Sequence, residues 1–471
     1  MAVPLVKSRR GYELSVLIVL WLGGFFLVNS FFGISIAIPD IQREFGTPLS
    51  DLQWLSIMGW VTMSTLSLPF GRLADMLGRR RVFIAGVTLY ALGSGLTGTA
   101  SNFTLMLFFR AIMSIGLAIA FPLVTALAAA TFPPERRGWA LGMAASSFAV
   151  GRAMGPILGG VIIEPWGWRA IFLSNLAVGG ITAAAGLLLF RGIQEERKLE
   201  SFDLKGTLSL LIAFPCLLIP ITRGPVDGWA APHLLVLFII SGLGMVAFIF
   251  AEMNARNPLI PLRYFANRAF SIAVAVLSIS SIATFPIMVF VPLYLKAAFG
   301  LSSLETGLQM TPLALLTALF STVGGRWSDR VDARYVAFFG LLTGIIGLFT
   351  YSRLGDDTGY GFIALALALL GISGGLFIPA NQRSAFAGIS GTNFGMIAAV
   401  LTSLSTATGA IGTTIAVAVQ ESRMDAGDTF AEAQQFTFLV LLPAMAISAF
   451  LMLADRRKSL AAETAPVRAT S

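Results

Sequence analysis

The sequence predicts an all-α integral membrane protein, with fourteen transmembrane helices forming two pseudo-symmetric six-helix halves and a pair of helices inserted between them. Three observations carry that prediction. The 471 residues are 56% hydrophobic and only 12% charged, with a mean hydropathy of +0.82, whereas a soluble protein is about a quarter charged. The apolar residues gather into runs of about 20, the length a helix needs to cross the hydrocarbon core. One short polar pattern also recurs at equivalent places early and late in the chain.

The runs cover residues 14–38, 52–73, 82–100, 104–128, 138–163, 169–190 and 204–222, then 232–251, 270–295, 306–324, 335–352, 360–380, 393–419 and 436–454. The first follows Lys7, Arg9 and Arg10 but is long and lacks a small-residue cleavage pattern, so it reads as a retained helix rather than a signal peptide. Most of the 32 lysines and arginines fall in the N-terminal segment, the even-to-odd loops and the C-terminal tail. By the positive-inside rule both termini are expected in the cytoplasm, and the net charge of +8 reflects orientation rather than a nucleic-acid surface. Short loops and a plain N-terminus suggest a bacterial inner (plasma) membrane.

The expected units are residues 1–191 for the first half, 192–266 for the inserted helices and their linkers, 267–455 for the second half, and 456–471 for a cytoplasmic tail. A single cysteine, Cys216, excludes an intrachain disulfide, and with His233 as the lone histidine no Cys/His metal cluster can form. No cofactor or metal is expected. HExxH and the GxxxxGK(S/T) phosphate loop are both missing, which argues against a metal-dependent membrane enzyme and against direct ATP drive. Nothing repeats in the fourfold or fivefold manner of a channel, and a sensor that no longer transports is the remaining alternative of another class.

The recurring pattern is Gly-Arg-x-x-Asp. It occurs as GRLADMLGRRR after the second run (Gly71, Arg72, Asp75, Gly78, Arg79, Arg80) and as GRWSDRVDAR after the tenth (Gly325, Arg326, Asp329, Arg330). A glycine there allows close packing, and the aspartate suits the positive end of a neighbouring helix. Parallel six-helix repeats are a transporter architecture whose halves rock about a central site. These residues resemble the loop signature of the major facilitator superfamily, with Met76 where a basic residue is usual, and the resemblance covers essentially the whole chain.

In GMAASSFAVGRAMGPILGG the glycines at 151, 155 and 159 lie four apart, so they share a helix face. With Gly142, Pro156 and Gly160 they match the superfamily's span-5 antiporter signature. The resemblance implies a proton-coupled exporter of small amphiphiles or drugs, similar to the fourteen-span drug:proton antiporter branch, with this strip packing against span 10. It also identifies Arg110 with the family's span-4 arginine near the proton pathway, although Met113 and Ser114 stand where Gln-Gly is usual.

One departure bears on chemistry. The branch usually has an acidic residue in span 1, where this chain has Ser30; the nearest acids, Asp40, Asp51, Glu164, Glu252 and Glu305, lie at span ends. The two mid-span charges, Arg110 and Arg152, are both positive, which either suits a neutral or anionic amphiphile, with a facilitator or symporter for such a metabolite as the alternative, or has Arg152 snorkel to the interface while Asp40 or Glu305 does the titrating. Further candidate cavity contacts are Asn29, Gln309, Asn381, Gln382 and Asn393. The expected partners are a small-molecule substrate, protons and the lipid bilayer, with no nucleic acid and a monomer as the working form.

Overall fold

In a computed structural model, the described residues are 9–47, 49–52, 54–192, 202–255, 257–260, 262–301, 303–355, 358–387, 389 and 393–453. The tail expected at 456–471 lies outside them. A long helix matches each predicted run, except that the run 306–324 is split between a short helix, Ser303–Gln309, and the long one that follows: α1 Arg9–Phe45, α2 Trp54–Leu77, α3 Arg79–Gly98, α4 Phe103–Thr131, α5 Arg137–Trp166, α6 Arg169–Leu189 and α7 Leu204–Asp227. There follow α8 Pro232–Asn254, α9 Arg268–Phe299, α10 Thr311–Arg330, α11 Ala333–Tyr351, α12 Tyr360–Phe386, α13 Phe394–Asp425 and α14 Phe430–Leu453. Helices satisfy every backbone polar group within one segment, which a hydrocarbon surrounding demands.

Ten of these helices are apolar and long enough to span a membrane, and α5, bent by 40° between Gly155 and Ile157, would make eleven. The expected fourteen therefore exceeds what length and apolarity alone establish. The remaining helices, α2, α3 and α10, are diluted by Gly, Ser, Thr and terminal charges. Such small residues occur where helix backbones approach each other instead of facing lipid.

The packing repeats. Contacts of α1 with α5 and α6, of α2 with α4, and of α3 with α4 and α6 recur as α9 with α13 and α14, α10 with α12, and α11 with α12 and α14. Two seams join the sets, α2 against α13 and α5 against α10. The helices α7 and α8 pack on each other, and α7 also touches both α2 and α13. Thr414 of α13 donates to the Ile221 carbonyl of α7 at 3.1 Å. The inserted pair thus flanks one seam only.

Candidate functional site

The recurring Gly-Arg-x-x-Asp pattern places a glycine at the crossing of each seam. A Cβ at Gly71 would collide with Ala399 and stand 2.7 Å from the Gly395 carbonyl of α13. At the other seam Gly325 and Gly142 face each other, and a Cβ on Gly325 would stand 3.1 Å from the Cα of Gly142. Four residues on from Gly71 and Gly325, the aspartates reach across. Asp75, 4% exposed, accepts from the backbone N–H of Gly395 and Met396 at 2.9 and 2.8 Å, at the start of α13. Asp329 accepts from Gly138 and Trp139 at 2.8 Å each, at the start of α5. These N–H groups have no partner within their own helix, and the helix dipole adds to the attraction for a carboxylate.

Each aspartate is also paired with an arginine: Arg79 Nε to Asp75 at 2.7 Å, and Arg383 Nε to Asp329 at 3.1 Å. Gly78, with φ of +104°, makes the turn that lets Arg79 open α3. Arg80 reaches the Leu187 carbonyl instead, and Arg72 is buried at the same end. Arg326 and Arg330 are exposed.

The span-5 glycines divide between two neighbours. Gly142 meets Ser321 and Gly325 of α10, but Gly151, Gly155 and Gly159 lie against α1, where a Cβ would stand 2.6 Å from the Phe25 carbonyl, 2.9 Å from that of Asn29 and 3.1 Å from that of Gly33. The expectation that the whole strip packs on the tenth helix is corrected accordingly. Nine residues separate Gly142 from Gly151, about two and a half turns, so the two positions face opposite ways. Gly160 has nothing within 4 Å. The Pro156 side chain lies outside the described residues.

Between the seams, Arg110 is 1% exposed. Its Nε donates to the Leu55 carbonyl at 3.1 Å, one Nη meets Met113 Sδ at 3.1 Å, the other Nη has no hydrogen-bond partner, and the guanidinium lies 5.5 Å from the Phe31 ring. Arg152 reaches from α5 to Met288 Sδ of α9 at 3.2 Å and lies 5.8 Å from the Phe32 ring, its Nε unpartnered. Trp60 stacks edge-on with Phe31 and Phe32 and meets Phe285 of α9 at 5.6 Å. Two cations in an aromatic, sulfur-lined core are thus served by neutral acceptors and ring faces.

The other polar candidates are dispersed. Ser30 accepts from Asn175 of α6, near Tyr90, whose hydroxyl donates to the Leu27 carbonyl at 3.3 Å. Asn29 has an unpartnered buried Nδ2 on α1. Asn381 donates to the Ala273 carbonyl at 3.0 Å, Gln382 has a buried unpartnered Oε1, and Asn393 donates to the Tyr264 hydroxyl. Gln309, in the short helix Ser303–Gln309, offers its backbone carbonyl to Tyr360 at 3.0 Å.

Sequence reasoning missed Asn175, Tyr90, Trp60, Phe285 and Met288. Asn175 obeys the same rule that singled out Asn29, a polar side chain in an apolar run; the aromatic residues carry no such mark in a chain with 37 phenylalanines. Among the described residues the buried acids are Glu13, Asp75 and Glu252. Glu13, just ahead of the first predicted run, accepts from Arg136 at 3.2 Å and was also missed.

A bundle of apolar helices in two similarly packed sets, joined at glycine crossings around buried cations, defines a multi-pass membrane transporter. The chain belongs to the Major Facilitator Superfamily, whose model matches residues 20–286 and 269–470. It is 30% identical to the uncharacterized MFS-type transporter YhcA of Bacillus subtilis over 76% of this chain and 67% of that one. It is 28% identical to the multidrug resistance protein Stp of Mycobacterium tuberculosis over 86% of this chain and 75% of the relative. The solved structure of the proton:xylose symporter XylE superimposes with a TM-score of 0.67 at 15% identity, covering 96% of this chain and 97% of that one, which establishes likeness of fold. These relatives place the chain with transporters of the drug-efflux type.

Proposed function

We propose that this protein exports small amphiphilic compounds in exchange for protons by alternating access, as a monomer in a bacterial inner membrane with both termini in the cytoplasm. In this reading all fourteen long helices cross the bilayer; residues 1–191 and 267–455 are the rocking halves, residues 192–266 supply the inserted pair, and residues 456–471 form the tail. The observation that carries it is the twofold latch: Asp75 holds the start of α13 and Asp329 the start of α5, each across a seam. Two equivalent, breakable contacts at the basic end are what a rocking transporter needs to open and reseal the cytoplasmic side. The drug-resistance name of the relative Stp supports export and a drug-like substrate.

Arg110 and Arg152 form the polar centre of the proposed pathway, with Asn29, Ser30, Asn381 and Gln382 as secondary contacts. One observation favours the facilitator or symporter reading for an anionic or neutral metabolite: among the described residues, no buried acid accompanies these two arginines. Dye-reported proton gradients in everted vesicles decide between them. Collapse on adding lipophilic compounds, dependent on this protein, is the expected result for antiport. If radiolabelled acids equilibrate while no compound moves protons, antiport is wrong and the facilitator reading replaces it.

A further inference from the structure

The two Gly-Arg-x-x-Asp patterns differ in what meets the arginine. Arg72 is 4% exposed, on the helix α2 that packs against α7, whose partner α8 ends in the buried acid Glu252. Glu252 is itself fixed by the backbone N–H of Leu259 and Ile260, at 3.1 Å each. The repeat-equivalent Arg326 is exposed, and the inserted pair flanks only the α2–α13 seam. Among the described residues the side chains of Arg326 and Arg330 make no hydrogen bond or ion pair, and Arg326 lies 5.8 Å from the Trp139 ring.

With Glu135, Arg136, Trp139 and Asp329, these two arginines line a cavity of about 280 Å³ where α5 meets α10. Both oxygens of Asp329 are taken by backbone N–H groups and Arg383, and Arg136 is tied to Glu13. Glu135 is the remaining lining carboxylate and faces the charge of Arg137 as well, against two arginines without a hydrogen bond or ion pair among the described residues. Leading to them along α10 is an exposed apolar stripe at four-residue spacing, Leu315, Leu319, Val323 and Trp327. One helix face therefore presents hydrocarbon contact for most of its length and two guanidinium groups at its end.

We infer that this cavity binds the phosphate headgroup of an anionic phospholipid, held by the guanidinium groups of Arg326 and Arg330. Guanidinium groups recognise phosphate through paired charge-assisted hydrogen bonds. Basic pockets between helices at the cytoplasmic face are suited to lipid headgroups, and tryptophan sits at headgroup depth. The apolar stripe selects a lipid over free phosphate, since only a lipid places acyl chains along α10. A bound headgroup would bridge α5 to α10 beside the Asp329 latch and steady that seam. The inference uses the proposed orientation to name the leaflet, but binding in detergent is read without it, so a failed orientation and a failed site are distinguishable.

The test is thermal unfolding and native mass spectrometry of the full chain in detergent, titrated with phosphatidylglycerol, phosphatidylcholine or inorganic phosphate. Phosphatidylglycerol should bind and raise the unfolding midpoint of the wild type, and the other two should not. In the R326Q/R330Q double variant its affinity should fall roughly tenfold or more, at about 1 kcal/mol per arginine near the surface. Arg330→Gln alone, at an exposed helix end, serves if the double variant folds poorly, and should show part of the loss. Arg353→Gln, in the loop between α11 and α12 at the opposite end, should respond as the wild type does. Equal phosphatidylglycerol binding by wild type and double variant overturns the site. An equal effect of inorganic phosphate overturns the lipid assignment in favour of a soluble anion.

Discussion

Arg152 is the side chain whose chemistry most directly limits what the core can hold. Its neighbours are a thioether and a ring face, and its Nε has no acceptor. An incoming carboxylate or sulfonate would supply the missing acceptor, whereas a cationic drug would meet repulsion. Arg152→Gln should therefore weaken apparent affinity for lipophilic acids roughly tenfold or more, the value of a hydrogen bond to a charged group. Uptake into everted vesicles, measured with acids and cations side by side, checks this; unchanged affinity for every acid would remove the argument for an anionic substrate. Arg110 and Arg152 were legible as a pair because ionisable residues inside apolar runs stand out. What surrounds them was not, since Trp60, Phe285 and Met288 gain meaning only when α2 and α9 meet.

Among the helices, α5 shows how far spacing alone can be read. The four-residue repeat of Gly151, Gly155 and Gly159 specified a smooth face, and the structure has one, but spacing does not say which neighbour uses it. The half-turn offset from Gly142 turned that face to α1 and left Gly138 and Gly142 for α10. Gly142→Val should therefore disrupt a seam between the two helix sets, costing about 1–3 kcal/mol by overpacking, while Gly160→Val, with open space around it, should leave unfolding midpoint and transport near wild type. Equal damage from both would show that the contact assignment on α5 is wrong. At the opposite end of α1, Glu44 accepts from Arg169 at 2.6 Å and from the Trp168 indole at 2.8 Å, and the Arg169 bond, followed by that of Trp168, holds its carboxyl below the usual range. A lowered folded-state value makes this tie stabilising above the ordinary glutamate range and lost as pH falls through the lowered value. Acidification should thus reduce thermal stability more in the wild type than in Glu44→Gln, as melting curves across mildly to strongly acidic pH would show.

The pseudo-symmetry of the molecule was visible in the sequence as two copies of one five-residue pattern, and the matching helix pairings on either side of α7 and α8 repeat it in space. The sequence could not reveal that the copies work crosswise, each aspartate capping a helix of the opposite set, because that pairing joins residues some 190 and 320 positions apart. The copies are also unequal. The Arg79–Asp75 pair is buried, with side chains 8% and 1% exposed, whereas Arg383–Asp329 stands at 19% and 9%. Breaking a buried pair strands a charge at about 3–5 kcal/mol, and the penalty shrinks as water reaches the partner. Asp75→Asn should therefore favour opening of the basic end by about a hundredfold or more, and Asp329→Asn by clearly less. The two aspartates bind different backbone groups and different arginines, although Arg79 and Arg137 lie over the same Phe394 ring, so the double variant tests whether the two effects sum in free energy. The readout is the rate at which a membrane-impermeant thiol reagent applied from the basic end reaches Ser403→Cys, buried on α13, in a Cys216→Ser background. A rate factor equal to the product of the two single-variant factors would mean that the seams yield independently. A double variant no faster than Asp75→Asn would mean that the α2–α13 seam, braced by the inserted helices, alone gates that end.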